Sequence, residues 1–366
     1  MPPEDFKIAH LDPDDCWFYI NTSGTTGTPK VAEVSHEVMY RRALAIVEDF
    51  VTRETVFCAL FAPSAFPYLA RAAGCFANGC TIIHSRNPSV WRESGVNHLY
   101  GSVTQVDATL GNVSLPQKMP MIHVSGSKLS DKLALHLLDN FELVIDLYAS
   151  SETNRSFKNI KRRGPDGSVL TVGKFTDAEV EIIDDEGNIC GVGDIGAVRV
   201  RNSYLLSGYL NNQEAAAKSF RDGWFYSGDF GTWGPQGGLH VIGRMGDVIN
   251  IGGIKISALE IDELIRTVDG IADAMTFANP QESGISEILT FVVFEAGIDK
   301  VACVTAVNAA CLCSVGALRT PARLIEVSSV PRAHDGGAQR FKCQEIYRHL
   351  KDLSGAVPAG IAGVSQ

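Results

Sequence analysis

Thr22-Ser23-Gly24-Thr25-Thr26-Gly27-Thr28-Pro29-Lys30 packs five hydroxyls, two glycines and one lysine into nine residues. Ahead of it, Cys16-Trp17-Phe18-Tyr19-Ile20 is apolar and aromatic enough for a buried strand. Behind it, Val31-Ala32-Glu33-Val34 alternates as a second strand, and a helix starts only at Ser35, whose hydroxyl suits an N-cap. Backbone N–H groups freed by glycine, side-chain hydroxyls and one ammonium, held in a loop between strands, form a nest for an oxygen-rich anion such as a polyphosphate. The loop differs from Gly-x-x-x-x-Gly-Lys-Ser/Thr in spacing, and no helix follows it directly. A plain Ser/Thr/Gly linker is the alternative, but linkers seldom join two apolar strands through a Pro-Lys end.

The rest of the composition is that of a globular chain. Its 366 residues can bury a large core and suit two domains, with 45% hydrophobic and 20% charged residues. A net charge of −10 argues against a general nucleic-acid binder, whose phosphate contacts need a basic surface. The one basic run, Lys161-Arg162-Arg163, reads as a solvated loop. Nine cysteines without paired metal spacing suit a reducing cytoplasm, and Cys311-Leu312-Cys313 reads as buried apolar packing. No run is long and apolar enough for a bilayer span, and no leader pattern stands at the start, so neither a membrane nor a nucleic-acid partner is expected.

Outward from the loop, residues 35–50 read as an amphipathic helix. An apolar strand from Val56 runs into Pro63-Ser64-Ala65-Phe66-Pro67, then a helix from Tyr68 to Asn78 and the strand Thr81-Ile82-Ile83, which together suggest a parallel α/β unit. Met121 to Ser127 reads as a strand ending in the small-residue turn Ser125-Gly126-Ser127, which leaves room for a flat ring against the backbone. A helix from Ser130 leads to the strand Leu143–Leu147, which delivers Tyr148-Ala149-Ser150-Ser151-Glu152. Small hydroxyl residues between an aromatic and a carboxylate, at a strand's C-terminal end, are where an α/β fold places a ligand. Glu152 as the cap of a following helix is the plainer reading. Residues 165–210 read as short strands with glycine turns, a small antiparallel subdomain. Asp229, in a glycine turn taken to end a strand, can accept hydrogen bonds from both hydroxyls of a ribose. A structural turn aspartate is the alternative. Beyond Gly243-Arg244 a new helical pattern opens.

These motifs, in this order, resemble the adenylate-forming superfamily that holds acyl-CoA synthetases, peptide-synthetase adenylation domains and firefly luciferase. The loop agrees with that family's Thr-Ser-Gly-Thr-Thr-Gly-x-Pro-Lys at every fixed position, and the resemblance runs from residue 17 to about 350. Tyr148–Glu152 stands for Tyr-Gly-x-Thr-Glu, with Gly changed to Ala149 and Thr to Ser151. Trp224 to Asp229 stands for Trp-Phe/Tyr-x-Thr-Gly-Asp, and Gly243 to Asp247 for Gly-Arg-x-x-Asp.

The resemblance implies roles residue by residue. Thr22, Ser23, Gly24, Thr25, Thr26, Gly27 and Lys30 would hold the phosphates of ATP. Ser125, Gly126 and Tyr148 would meet adenine, Ser151 the α-phosphate, and Glu152 Mg²⁺. Asp229 and Arg244 would fix the ribose, Phe66 and Tyr148 would wall the acyl pocket, and Gly253 would let a pantetheine arm pass. The implied fold class is α/β: a truncated adenylate-forming large domain, an α/β sheet layer plus a small antiparallel β-subdomain, with a mobile α+β C-terminal lid domain. The expected division is 1–245 for the large domain and 246–353 for the lid, with Gly246 as the pivot and 354–366 as a disordered tail. The implied cofactors are ATP/AMP and Mg²⁺, with coenzyme A or a phosphopantetheine carrier as acceptor and a small carboxylic acid as substrate.

Two departures stand against that pattern. The phosphate loop opens at residue 22, where family members carry a further subdomain ahead of it. This implies a cut-down member, or one in which a second subunit or separate partner supplies that part. Near the end, Pro331-Arg332-Ala333-His334-Asp335-Gly336-Gly337-Ala338-Gln339-Arg340 stands for Pro-Arg-Thr-x-x-Gly-Lys-x-x-Arg, so Gly337 replaces the catalytic lysine. Three functions are open at this point: an acyl-activating ligase working through an acyl-AMP; acyl transfer or cyclisation from a pre-activated group; or a non-catalytic nucleotide or acyl binder partnering a complete ligase.

Overall fold

The computed structural model describes residues 11–22, 30–244, 247–251, 254–281, 286–332, 338–354 and 361–362. They form two compact units, one of residues 11–22, 30–227 and 232–240, the other of 228–231 and 241 onward.

The first unit begins with an antiparallel hairpin, β1 (Cys16–Thr22) and β2 (Lys30–Ser35), in which Thr22 pairs with Lys30 on the last rung before the loop. The strand before the loop is only half buried. Ile20 is covered, but Trp17 and Tyr19 are 47% and 59% exposed, because a two-stranded sheet with one packed face alternates instead of sinking whole. Ser35 caps α1 (His36–Phe50), accepting from Val38 N at 3.3 Å.

Next come β3 (Val56–Ala59), α2 (Phe66–Ala77), β4 (Thr81–Ile83), α3 (Pro88–Glu93), β5 (His98–Ser102), α4 (Val103–Leu110), β6 (Met119–Ser125), α5 (Asp131–Asn140) and β7 (Phe141–Ser150). The first strand is shorter than the apolar run suggested, and α2 starts at Phe66 because Pro67 is tolerated in a helix's first turn. β8 (Asn154–Arg163) and β9 (Val169–Phe175) complete a seven-stranded sheet of order β4-β3-β5-β6-β7-β8-β9, parallel through β7 and antiparallel beyond it.

Both faces of this sheet are covered, and the period of two sorts its side chains. Cys58, Leu99, Ile122, Val124 and Val144 face a core with Val106, Leu110, Leu133 and Leu137 from α4 and α5. Phe57, Ala59 and Tyr100 face the other way, onto Ile46 of α1 and Cys75 of α2. Gly74 lets those two helices close up, since a Cβ there would sit 2.8 Å from Cγ2 of Ile46. The basic run at 161–163 is the end of β8, not a loop. Lys161 is buried, with its ammonium 3.3 Å from Asp146 on β7.

A second sheet takes up β10 (Glu179–Ile183), β11 (Gly196–Arg201), β12 (Phe220–Arg221) and β13 (Trp224–Trp233), with α6 (Gln213–Ser219) between β11 and β12 and β14 (Leu239–Arg244) on β13. Its antiparallel pairs match the expected small β-subdomain, although β9 joins the large sheet instead. The chain passes from one unit to the other within β14.

The second unit opens with a hairpin, β15 (Val248–Ile251) and β16 (Ile254–Ser257), placed before the helix that the pattern suggested. Then follow α7 (Ala258–Ile265), β17 (Ile271–Asn279), β18 (Glu287–Phe294), α8 (Lys300–Ser314), β19 (Arg323–Glu326), α9 (Arg340–Ser354) and β20 (Ile361–Ala362). The strands form one sheet of order β17-β18-β19-β20, so Ile361–Ala362, within the stretch read as a disordered tail, pair against β19. On α8, Cys311 is buried but Leu312 is 53% exposed and Cys313 is exposed, since successive residues of a helix point about 100° apart. Among the described residues no helix is long and apolar enough to cross a membrane.

Candidate functional site

Three residues from distant parts of the first unit meet beside the last rung of the β1–β2 hairpin. Glu152 lies in the tight turn between β7 and β8, so it caps no helix. It is 7% exposed, and its Oε1 accepts a 2.8 Å hydrogen bond from the Tyr209 hydroxyl. The Nζ of Lys30 stands 4.6 Å from the centroid of the same Tyr209 ring. The backbone holds the arrangement, because Leu210 N donates to Val31 O at 2.7 Å and ties the 207–210 segment to β2. A cation, a phenol and a carboxylate thus share one spot. The tyrosine both orients the carboxylate and offers its ring face to the ammonium.

The turn bearing Ser151 and Glu152 is pinned from below by Arg42 of α1, which is fully buried. Its guanidinium donates to the carbonyls of Ser151 at 3.1 Å, Glu152 at 2.7 Å and Tyr204 at 3.1 Å. Burial pulls its pKa down to about 10, which still leaves it charged at neutral pH. Leu206 N adds a further bond to Glu152 O at 3.2 Å. Inside the turn, Thr153 N donates to Ser150 Oγ at 3.1 Å. Arg42 is a functional candidate that sequence reasoning passed over, and Tyr209 one that lies in the family-like stretch Ser207-Gly208-Tyr209-Leu210 but was given no role. An arginine on the Met39–Ala43–Ile46 face of an amphipathic helix was the available signal for the first.

Other expected residues lie in the same unit. Thr22 is 6% exposed at the end of β1. Tyr148 is half-buried on β7, across from Phe157. Ser125, buried at the end of β6, shares a 3.0 Å hydrogen bond with the Tyr100 hydroxyl, and Gly126 turns the chain at φ +92°. Phe66 opens α2, with its ring 5.8 Å from that of Phe18 and 5.4 Å from the Arg42 guanidinium.

In the second unit, Asp229 and Arg244 approach to 3.5 Å. Asp229 sits within β13 and not at a strand end, with Gly228 at φ +77° kinking the strand beside it. The Arg244 backbone is held by Asp247, whose Oδ2 accepts from Arg244 N at 3.2 Å. Asp247 in turn accepts from buried Arg340 at 2.6 Å, and Arg340 also pairs with Asp262 at 2.7 Å. Ser23, Gly24, Thr25, Thr26, Gly27, Gly246, Gly253 and Gly337 fall outside the described residues.

Among the described residues no three His, Cys, Asp or Glu side chains gather as a metal site. Magnesium does not require one: it takes one or two carboxylates and fills its sphere with substrate phosphates and water. Glu152 supplies a hard oxygen donor, and among the described residues Tyr209 is the hydrogen-bond partner of its carboxylate. That donor set fits.

An oxalate–CoA ligase of Arabidopsis thaliana is 31% identical over 199 residues, 54% of this chain and 38% of that protein. An oxalate–CoA ligase of Saccharomyces cerevisiae is 25% identical over 91% of this chain and 63% of its own length. The chain therefore spans between about a third and two thirds of the curated relatives it matches. In structure, ATP-bound MatB from Rhodopseudomonas palustris superposes with a TM-score of 0.75 at 22% identity, covering 95% of this chain and 71% of that one, so the two share a fold. The sequence model of the AMP-binding enzyme family matches residues 2–210, more than half of the chain, and the chain belongs to that family.

Proposed function

We propose that this chain activates a small carboxylic acid. The acid's carboxylate oxygen attacks the α-phosphorus of ATP, the bond to the β-phosphate oxygen breaks, and acyl-AMP and pyrophosphate result. The acyl group then passes to a thiol, of coenzyme A or of a phosphopantetheine carrier, or to an amine. The observation that carries the reading is the meeting of Lys30, Tyr209 and Glu152 beside the rung that closes the hydroxyl-rich loop. The relatives' names as CoA ligases support the acid and thiol.

In this reading Thr22, Ser23, Thr25 and Lys30, with the backbone of 24–27, hold the phosphates. Glu152, kept in place by Tyr209 and Arg42, would hold Mg²⁺, whose charge offsets that of the departing pyrophosphate. Ser151 meets the α-phosphate, Tyr148 and the Ser125–Gly126 turn meet adenine, and Asp229 and Arg244 fix the ribose. Phe66 lines the acyl pocket. The protein's contribution is positioning and preorganised charge, the main terms in phosphoryl transfer. Division of the chain at 245/246 with Gly246 as pivot, and passage of pantetheine past Gly253, belong to the same proposal.

Gly337 favours a second reading, in which the chain receives an acyl group already activated and catalyses only its transfer. Pyrophosphate exchange with a panel of acids tests the first, and transfer from supplied acyl-AMP tests the second. ATP binding with neither activity would mark a non-catalytic partner.

A further inference from the structure

From Asp229 a line of alternating charges runs inward through the second unit. The Arg244 side chain, about half exposed, faces Asp229 at 3.5 Å. Behind it Asp247 uses both carboxylate oxygens at once. Its Oδ2 accepts from Arg244 N at 3.2 Å, and its Oδ1 accepts from Arg340 Nε at 2.6 Å. Arg340, at the start of α9, is buried. Its Nη1 reaches the carboxylate of Asp262 on α7 and the carbonyl of Thr276 on β17, each at 2.7 Å. Asp262 is held in turn by a hydrogen bond from Thr276 N.

Asp247 is not there for the sake of Arg340. The buried Asp262 alone neutralises that guanidinium, so a second carboxylate on it is in excess. What Asp247 adds is a bridge to Arg244, and the chain is shaped to make it. Asp247 N donates to Arg244 O at 2.7 Å, and Ala258 N donates to Asp247 O at 2.9 Å. A Cβ on Gly243 would stand 3.1 Å from the Cβ of Asp247, so glycine gives the bridge its room. Arg244 is the last residue of β14, and its side chain is long and half in water. Such a side chain holds a ligand well only where its backbone is fixed, because each free torsion must be ordered on binding.

We propose that Asp247 and Arg340 are positioning residues for Arg244: Asp247 sets its backbone, and Arg340 anchors Asp247 to the core. This rests on the reading of Arg244 as a ribose contact. Both residues act through Arg244, so their removal should be felt by a nucleotide's ribose hydroxyls and not by the rest of it.

The test is calorimetric titration of the whole chain, without magnesium, with AMP and with 2′,3′-dideoxy-AMP, which differ only in those hydroxyls. Wild type should bind AMP about tenfold more tightly than the dideoxy nucleotide, and Arg244→Ala should lose most of that preference. In Asp247→Asn a single carbonyl oxygen is left to serve both Arg244 N and Arg340. Arg340→Lys keeps a charge beside Asp262, but a compact ammonium cannot also span to Asp247. Each variant should weaken AMP by about three- to tenfold and leave dideoxy-AMP unchanged. The double variant should bind AMP no worse than Arg340→Lys alone, since the two act through one link. Thermal melting of the same samples reports folding. If Arg340→Lys does not fold, Asp247→Asn decides, because it leaves the Arg340–Asp262 pair in place. Ribose preference kept in either folded variant while Arg244→Ala loses it overturns the proposal and leaves the ribose reading standing. Equal weakening of both nucleotides marks a merely structural role and also overturns it. Preference kept in Arg244→Ala, or absent from wild type, defeats both.

Discussion

Replacing Arg42 by methionine keeps the length of an apolar stem and deletes the guanidinium that holds the Glu152 turn. Three carbonyls, of Ser151, Glu152 and Tyr204, then lose a charged donor at 2.7–3.1 Å in a fully buried setting. Glu152 O keeps its bond from Leu206 N, and the other two are each worth about 1–2 kcal/mol when left without a partner. Against this stands the relief of burying a cation, visible in the pKa drawn down to about 10. The balance is a loss of roughly 1–3 kcal/mol, a sizeable share of the 5–15 kcal/mol of an ordinary domain. Arg42→Lys should recover little, since an ammonium on a shorter reach cannot serve three carbonyls at once. Urea denaturation measures the stability loss. Calorimetry with MgATP should show affinity down at least tenfold, because Glu152 sits on the loosened turn. A loss below about 1 kcal/mol with unchanged MgATP affinity would show that the turn holds itself.

Tyr209→Phe keeps the ring over Lys30 but removes the hydrogen bond to Glu152, and a bond to a charged group of about 1.5 kcal/mol or more predicts roughly tenfold weaker MgATP binding by calorimetry. His98 and His123 share a 2.6 Å contact between ring nitrogens against Phe50 and Phe57, and burial drives the pKa of His98 to about 3 and that of His123 well below 6.5. Their folded pKa values are depressed, so the unfolded chain takes up protons first. Stability should be complete above about pH 6.5 and fall as pH drops toward 3, by up to about 1.4 kcal/mol per unit per histidine; denaturation curves of equal midpoint at pH 7 and 5 would refute it. Gly337→Lys should raise single-turnover acyl-AMP formation by roughly 10–10³-fold, and wild type already working at about 1 s⁻¹ would mean that another group supplies the charge.

Much of this was legible in the chain. The hairpin around the loop, the Ser35 and Ser130 caps and the parallel strands leading to Tyr148–Glu152 follow from local pattern and hydroxyl placement. What escaped depends on contacts between residues far apart in sequence. Tyr209 is 57 residues from Glu152, and Arg42 is 110 from it, so no window of periodicity pairs them. β8 hid for a related reason: Lys161-Arg162-Arg163 read as a solvated loop, whereas Lys161 is buried against the facing carboxylate of Asp146. Asp229 was placed at a strand end because two glycines flank that stretch, whereas β13 continues through the kink at Gly228.

The most direct measurement is calorimetric titration of MgATP into wild type and Glu152→Gln, a change that keeps shape and removes the charge. The expected result is saturable binding by wild type that is at least tenfold weaker in Glu152→Gln and regains little when magnesium is raised. Equal affinity in the two proteins, or no MgATP binding by wild type, would contradict the assignment of the Lys30–Tyr209–Glu152 cluster as the nucleotide site.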